Sequence, residues 1–222
     1  MFRCKQFNVA QDKCAMKVNT DSLILGSWVA PNNAQSLLDI GTGTGLIAIM
    51  VAQKNLIAEI DAIDIDKAAY RQALKNVSLC QWKGRIKVHH QSVQDFINVE
   101  RTFNYDVIVC NPPFFKSEAE ALEATIRKLK GLNKETSTVI RNFSGTHNEL
   151  WYKGGEKAFL HNYLYESSLF KDQCQWFTTL VSKKDLVKGM YASLKKLGAT
   201  DIKTITMGQG NKISRIVAWT FK

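Results

Sequence analysis

The sequence predicts an α/β fold, a doubly wound sheet that is mostly parallel and carries helices on both faces. Three observations carry this expectation. Short apolar strand runs alternate with helix-spaced runs along 222 residues. The first strand run ends in a glycine-rich turn that opens a helix. The last two strand runs flank a short turn, so they pair antiparallel.

The first strand is Ser36–Ile40, short and apolar, and it enters Gly41-Thr42-Gly43-Thr44-Gly45 directly. Leu46–Ala52 reads as a buried helix. The second strand spans Glu59–Ile65 and is acidic at its tip. Lys67–Leu79 has helical spacing, with Ala68, Ala69, Ala73, Leu74 and Val77 as its apolar positions. Ile86–His89 and Tyr105–Cys110 are the third and fourth strands, the latter ending abruptly at Asn111-Pro112-Pro113. Trp176–Val181 is the fifth. Lys184–Leu197 is a helix closed by Gly198. Thr200–Met207 and Arg215–Phe221 flank a Gly208-Gln209-Gly210-Asn211 turn. No repeat, low-complexity stretch or linker divides the chain, so residues 1–222 read as one domain, with 1–35 as an N-terminal extension.

Composition narrows the class. No uninterrupted apolar run reaches about 18 residues, so no membrane partner is expected. The opening MFRCKQFNVAQDKC has no apolar core of signal-peptide length. The five cysteines, Cys4, Cys14, Cys80, Cys110 and Cys174, form no C-x-x-C pair. That argues against a disulfide framework or zinc site and fits a reducing cytoplasm. His89 and His90 have no metal partners at suitable spacing and read as structural or surface residues. The net charge of +10 is uneven: residues 1–113 hold 12 Lys+Arg against 10 Asp+Glu, and residues 114–222 hold 18 against 10. A basic second half suits a polyanion such as RNA, although a solvated lysine surface gives the same balance.

Chemistry concentrates at two places. Gly41, Gly43 and Gly45 allow a tight turn and close ligand approach. The preceding Asp39 would repel a pyrophosphate and suits a cationic ligand, such as the amino group of S-adenosylmethionine, directly or through water. At the next strand tip, Asp64 is placed to accept ribose hydroxyls, with Ile63 and Ile65 anchoring the strand. Asp66 is read as a helix N-cap and Asp61 as solvent-facing. The second place is Asn111-Pro112-Pro113-Phe114. An exocyclic amino group conjugated to a ring is a poor nucleophile. The Asn111 side-chain oxygen and the Pro112 carbonyl supply two acceptors for its hydrogens, turning the nitrogen lone pair toward a methyl donor. Pro112 and Pro113 stiffen the loop, and Phe114 offers a stacking face for a flipped base.

On these motifs the chain resembles two bacterial RNA adenine-N6 methyltransferase families. Residues from about 5 to 100 resemble the tRNA1(Val) adenine-N6 methyltransferases through Lys5-Gln6-Phe7, Asp12–Val18, Thr20-Asp21, Leu25–Trp28 and the Asp39–Gly45 turn. This resemblance implies that Lys17, Thr20 and Asp21 flank the methionine end of the cofactor. Residues from about 110 to 222 resemble the 23S ribosomal RNA large-subunit methyltransferases of the F type. The matching stretches are Asn111–Phe114, Gly131–Lys134, Asn142–Gly145, Glu149–Phe159, Trp176–Ser182, Met207–Gly210 and Ala218–Phe221. The chain therefore reads as a mosaic, natural or engineered, with its seam near Asn111. A single lineage that drifted to look like both is the alternative.

The resemblance implies a class I (Rossmann-like) methyltransferase with a seven-stranded, mostly parallel sheet and one antiparallel strand. Residues 36–110 would bind the cofactor, and 111–222 would carry the catalytic motif and the substrate side. Many class I enzymes place an Asp after the third strand for the cofactor's adenine; here Ser92 stands there, with Asp95 nearby. From the residues themselves, Arg127, Lys128, Lys130, Lys134 and Arg141 can hold phosphates while Phe143 and Trp151 stack bases; a solvated helix over about 117–129 and core positions for the two rings are the alternatives. The implied activity is S-adenosylmethionine-dependent N6-methylation of adenine in 23S rRNA or tRNA. The competing readings are an inert cofactor-binding hybrid or RNA-binding protein, a protein-glutamine methyltransferase, and a DNA adenine methyltransferase.

Overall fold

The computed structural model describes residues 1–29, 33–99, 104–131, 150–209 and 212–222. In chain order the elements are β1 (Phe2–Arg3), β2 (Asn8–Val9), α1 (Thr20–Trp28), β3 (Ser36–Ile40), α2 (Leu46–Lys54), β4 (Glu59–Asp64) and α3 (Lys67–Ser78). A 3₁₀ turn at Lys83–Arg85 leads into β5 (Ile86–His90), α4 (Val93–Val99), β6 (Tyr105–Cys110) and α5 (Glu118–Gly131). Then come α6 (Gly155–Leu169), β7 (Cys174–Val181), α7 (Lys184–Leu197), β8 (Asp201–Gln209) and β9 (Lys212–Thr220).

The sheet has seven strands in the order β5-β4-β3-β6-β7-β9-β8, and β9 runs antiparallel to both neighbours. This is the expected class I arrangement. Side chains alternate across it with period two. Leu37, Val107 and Val109 face one core with Leu25 and Ile49, while Leu38, Ile108 and Cys110 face the other with Leu160 and Leu194. Trp219 is fully buried, stacks on Phe177 at 5.9 Å and donates its indole N–H to Ser167 Oγ at 2.9 Å. In register, Ile40 lies beside Ile63 and Cys110, and Asp64 beside His90. The C-terminal tips of β3, β4, β5 and β6 therefore converge at the point where the strand order reverses, the usual place for a ligand in an open α/β sheet.

Three sequence expectations are corrected. Leu74 is exposed, whereas Gln72 and Asn76 on the same helix are buried. The reason is the N-terminal segment, which is docked on α3. Ala10 N–H donates to Asn76 Oδ1 at 2.9 Å, Asn76 Nδ2 donates to Ala10 O at 2.8 Å, and Lys13 N–H donates to Gln72 Oε1 at 3.1 Å. Asp61 does not face solvent freely: it accepts from Tyr105 Oη at 2.8 Å and pairs with His89 Nε2 at 2.7 Å. Burial alone would raise its pKa, but these two partners outweigh it and hold the carboxyl below its ordinary value. Ile65 does not anchor its strand, because it lies just past the end of β4 and is 61% exposed. Helices α1, α4 and α6 had no counterpart in the sequence reading. The first is closed by an Asn19–Ser22 capping box.

Asn76 Nδ2 also donates to Thr44 O in the glycine turn at 2.8 Å. One buried side chain thus ties the turn to the N-terminal segment. Asn76→Ala leaves a buried carbonyl at Thr44 and half-buried backbone groups at Ala10 without these partners. It is expected to cost roughly 2–4 kcal/mol of stability, read from the midpoint of chemical denaturation.

Candidate functional site

The glycine turn is assembled by hydrogen bonds from several directions. Gly41 and Thr42 N–H both donate to Ile63 O at 3.0 Å, and Gly45 N–H donates to Thr42 O at 2.9 Å. Gly43 N–H donates to Asp64 Oδ2 at 2.8 Å, and Thr42 Oγ1 donates to Asp39 Oδ2 at 2.7 Å. Gly41, Gly43 and Gly45 all have positive φ, at 69°, 55° and 79°. Their roles differ. A Cβ on Gly41 or Gly43 would meet nothing within 4 Å, so the bare turn faces open space. A Cβ on Gly45 would sit in ordinary contact with Ala73 at 3.4 Å, so it is the positive φ at the cap of α2 that favours glycine there.

That open space is a cavity of about 480 Å³, a volume typical of small-molecule sites. Gly41–Thr44, Asp64, Ile65, Gln91, Ser92 and Val93 line one end. Met16, Lys17, Asn111, Pro113, Trp151 and Tyr152 line the other, and Leu38, Ile108, Tyr163 and Phe177 form an apolar floor. Among the residues expected at the site, Lys17, Gly41, Gly43, Asp64, Ser92, Asn111 and Pro113 therefore share one cavity. Thr20, Asp21, Asp39, Gly45, Pro112 and Phe114 do not line it.

Each absence has a physical cause. Asp21 is buried and accepts from Ser214 Oγ on β9, while its neighbour Ser22 lines the cavity. Thr20 is the first residue of that helix. Asp39 is fully buried beneath the turn. Pro112 is buried, and Phe114 is partly buried, packed against the core cluster that includes Leu46 and Phe7. The aromatic groups at this end come instead from farther along the chain. Phe115 N–H donates to Leu150 O at 3.1 Å and Tyr152 N–H donates to Phe115 O at 3.0 Å, a parallel bridge that brings Trp151 to the cavity. Behind it, buried Glu156 accepts from Ser182 N–H and Oγ, fastening the start of α6 to the end of β7. Only the tryptophan itself could have signalled this in the sequence.

Asp66 caps α3 as expected, accepting from Ala68 and Ala69 N–H at 2.8 Å. Asp64 Oδ1 accepts from Asp66 N–H at 2.9 Å, so each Asp64 oxygen already holds one backbone amide. Ser92 Oγ donates to Asp95 Oδ2 at 2.7 Å, and Asp95 itself stays outside the cavity. His90 stacks on Tyr70 at 5.4 Å. Arg127 is exposed on α5. Lys134, Arg141, Phe143 and the Asn142–Gly145 stretch lie outside the described residues, as do the side chains of Lys128 and Lys130.

Asn111 holds the most informative polar group. Its Nδ2 donates to Met16 Sδ at 3.6 Å, and its Oδ1 is buried with no hydrogen-bond partner among the described residues. An amide oxygen left alone costs stability, and this one belongs to a side chain that lines the cavity. Asp39 Oδ1 likewise lacks a full hydrogen bond, although the Ala48 N–H lies near enough to favour its charge weakly.

Burial pushes the Asp39 carboxyl up to about 7, the Thr42 hydrogen bond opposes it, and the Asp64 charge adds to the rise. Burial likewise pushes Asp64 up to about 6, against the Gly43 and Asp66 amides. The folded state therefore keeps protons that the unfolded chain has already released. Stability conferred by the neutral acid is complete below about pH 4 and declines as pH rises through about 7. Asp39→Asn is expected to remove most of this slope, on the order of a few kcal/mol, when wild type and variant are compared by denaturation between pH 4 and 8.

Comparison with known proteins agrees with this geometry. Ribosomal RNA large subunit methyltransferase F of Shewanella woodyi is 37% identical over 202 residues, covering 83% of this chain and 53% of the relative. The tRNA1(Val) (adenine(37)-N6)-methyltransferase of Dyadobacter fermentans is 51% identical over 117 residues, covering 53% of this chain and 48% of the relative. The chain thus spans about half the length of these curated relatives. The ribosomal match extends well beyond the half of the chain in which the resemblance had been placed. The catalytic domain of human Mettl16 in complex with a MAT2A 3′UTR hairpin shares the fold, with a TM-score of 0.74 at 23% identity over 98% of this chain and 76% of that one. A family model described as RNA methyltransferase matches residues 18–222, and the chain belongs to that family.

Proposed function

We propose that this protein transfers a methyl group from S-adenosylmethionine to the N6 amino group of an adenine in structured RNA, either ribosomal RNA or tRNA. The observation that carries this reading is the buried, unpartnered Asn111 Oδ1 in the wall of the cavity opened by the glycine turn. The cofactor supplies an electrophilic methyl group when bound. The bare Gly41 and Gly43 backbone admits its close approach, Asp64 and Gln91–Val93 flank its nucleoside, and Lys17 lies toward its methionine end. Asn111 accepts a hydrogen bond from the target amino group and the rigid Pro112-Pro113 step fixes its direction; as the N–CH₃ bond forms, the S–CH₃ bond breaks to leave S-adenosylhomocysteine, and the nitrogen releases one proton to solvent. Asn111 and the proline step act by positioning rather than by proton transfer. Trp151 takes the stacking role that the sequence assigned to Phe114.

In this reading residues 36–110 bind the cofactor and 111–222 present the substrate, within one unit. The higher identity to the tRNA relative over a shorter stretch supports a two-family character, with the chain as a whole following the ribosomal enzymes. The basic second half, +8 over residues 114–222, favours RNA over a protein glutamine held by the same clamp. The test is cofactor titration followed by labelled methyl transfer to tRNA, deproteinised 23S RNA and assembling large subunits. Binding without transfer to any of them would favour an inert hybrid.

A further inference from the structure

An amide has two ends, and only one can serve the proposed clamp. If Asn111 turned its NH₂ toward a target amino group, donor would face donor and the nucleophile would be pushed away. Something must therefore decide which end faces the cavity. The side chain against Asn111 is Met16, brought there from 95 positions earlier in the chain, with Sδ 3.6 Å from Nδ2. A thioether has lone pairs and no proton. It can hold the NH₂ end of an amide but cannot donate to the oxygen end. Pairing Nδ2 with sulfur leaves Oδ1 as the acceptor, and Oδ1 is the atom found without a partner.

The sulfur is itself held in place. Met16 packs with Ala15, Phe115 and Leu122 around Leu150 and Ala121. The loop that presents it is closed by Lys17 Nζ, which donates to Gln11 O at 2.5 Å and Cys14 O at 2.7 Å, and by Val18 N–H, which donates to Gln11 Oε1 at 2.8 Å. That loop is docked on α3 through Gln72 and Asn76. We infer that Met16 is a positioning residue: its thioether sets the orientation of the Asn111 amide so that the carbonyl oxygen receives the substrate amino group. The inference rests on the proposed role of Asn111. It gives the N-terminal segment a part in the transfer step itself, beyond covering the cofactor.

A double-mutant cycle separates orientation from general support of the loop. Asp at position 111 presents an acceptor whichever way it turns, so it has no wrong end. Met16→Leu is expected to lower kcat roughly 10-fold in the Asn111 protein, with cofactor affinity and KM for RNA unchanged. In the Asn111→Asp background the same substitution is expected to change kcat less than about 2-fold. Equal losses in both backgrounds would overturn the inference, because a purely structural role does not depend on what stands at 111. A second readout needs no methyl transfer. In protein carrying labelled Met methyl and Asn side-chain amide groups, a nuclear Overhauser effect is expected between the Met16 methyl and the Asn111 NH₂, and its loss in Met16→Leu. Absence of that contact in the wild-type protein would overturn the orienting role. If no RNA accepts a methyl group while the contact is present, the proposed substrate fails and the placement of Met16 stands.

Discussion

Asn111→Ala is expected to lower methyl transfer by roughly three orders of magnitude while S-adenosylmethionine binds with nearly unchanged affinity. Asn111 follows β6 directly and lines the cavity, but it makes none of the hydrogen bonds that hold the glycine turn, so its removal leaves Gly41–Thr44 and Asp64 in place. What disappears is the acceptor that directs a delocalised amino nitrogen toward the methyl group. Alanine also removes a buried polar group that had no partner for its oxygen, so the fold should tolerate the change. Single-turnover transfer and calorimetric cofactor titration on the same preparation check both halves. Undiminished turnover would remove Asn111 from the mechanism.

Gly43→Val should give the opposite pattern. Gly43 has φ of 55°, and its missing Cβ would project into open space lined by the cavity. A β-branched residue is strained in that backbone region, and its methyl groups would occupy room that the cofactor needs. Cofactor affinity is expected to fall at least about 100-fold, equivalent to about 2.7 kcal/mol. The strain should cost roughly 1–2 kcal/mol of stability. Calorimetric titration alongside a thermal melt reads the two effects separately. Near-native affinity would mean that the cofactor does not approach the turn at this point. Together the variants divide the cavity: both lose transfer, and only Gly43→Val loses cofactor.

What the sequence made legible was local. The Asp39–Gly45 turn, the acidic β4 tip, the Asp66 cap and the break at Asn111 are each written in a few adjacent residues, because backbone conformation decides them. Non-local contacts were not legible. Gln72 and Asn76 look like polar positions on a solvated helix, and only the docked N-terminal segment explains their burial. Phe114 follows a motif that invites an aromatic stacking role and is partly buried against the core, while the Phe115–Trp151 bridge brings Trp151 from farther along the chain to the cavity. Asp21 stood beside Lys17 in the sequence and faces β9 in the fold. The Asp39 carboxylate precedes the turn in the sequence, and only the fold shows that one of its oxygens is engaged by Thr42 beneath that turn.

The chemistry assigned to Asn111 is narrower than methyl transfer in general, because the clamp suits an amino group and not a ring carbon or a ribose hydroxyl. Identification of the modified nucleoside is therefore the most direct test. RNA labelled by this protein from methyl-labelled S-adenosylmethionine would be digested to nucleosides and resolved by mass spectrometry. The account expects the label in N6-methyladenosine, and its loss with Asn111→Ala. Label in another nucleoside, or in protein glutamine in place of RNA, would contradict it.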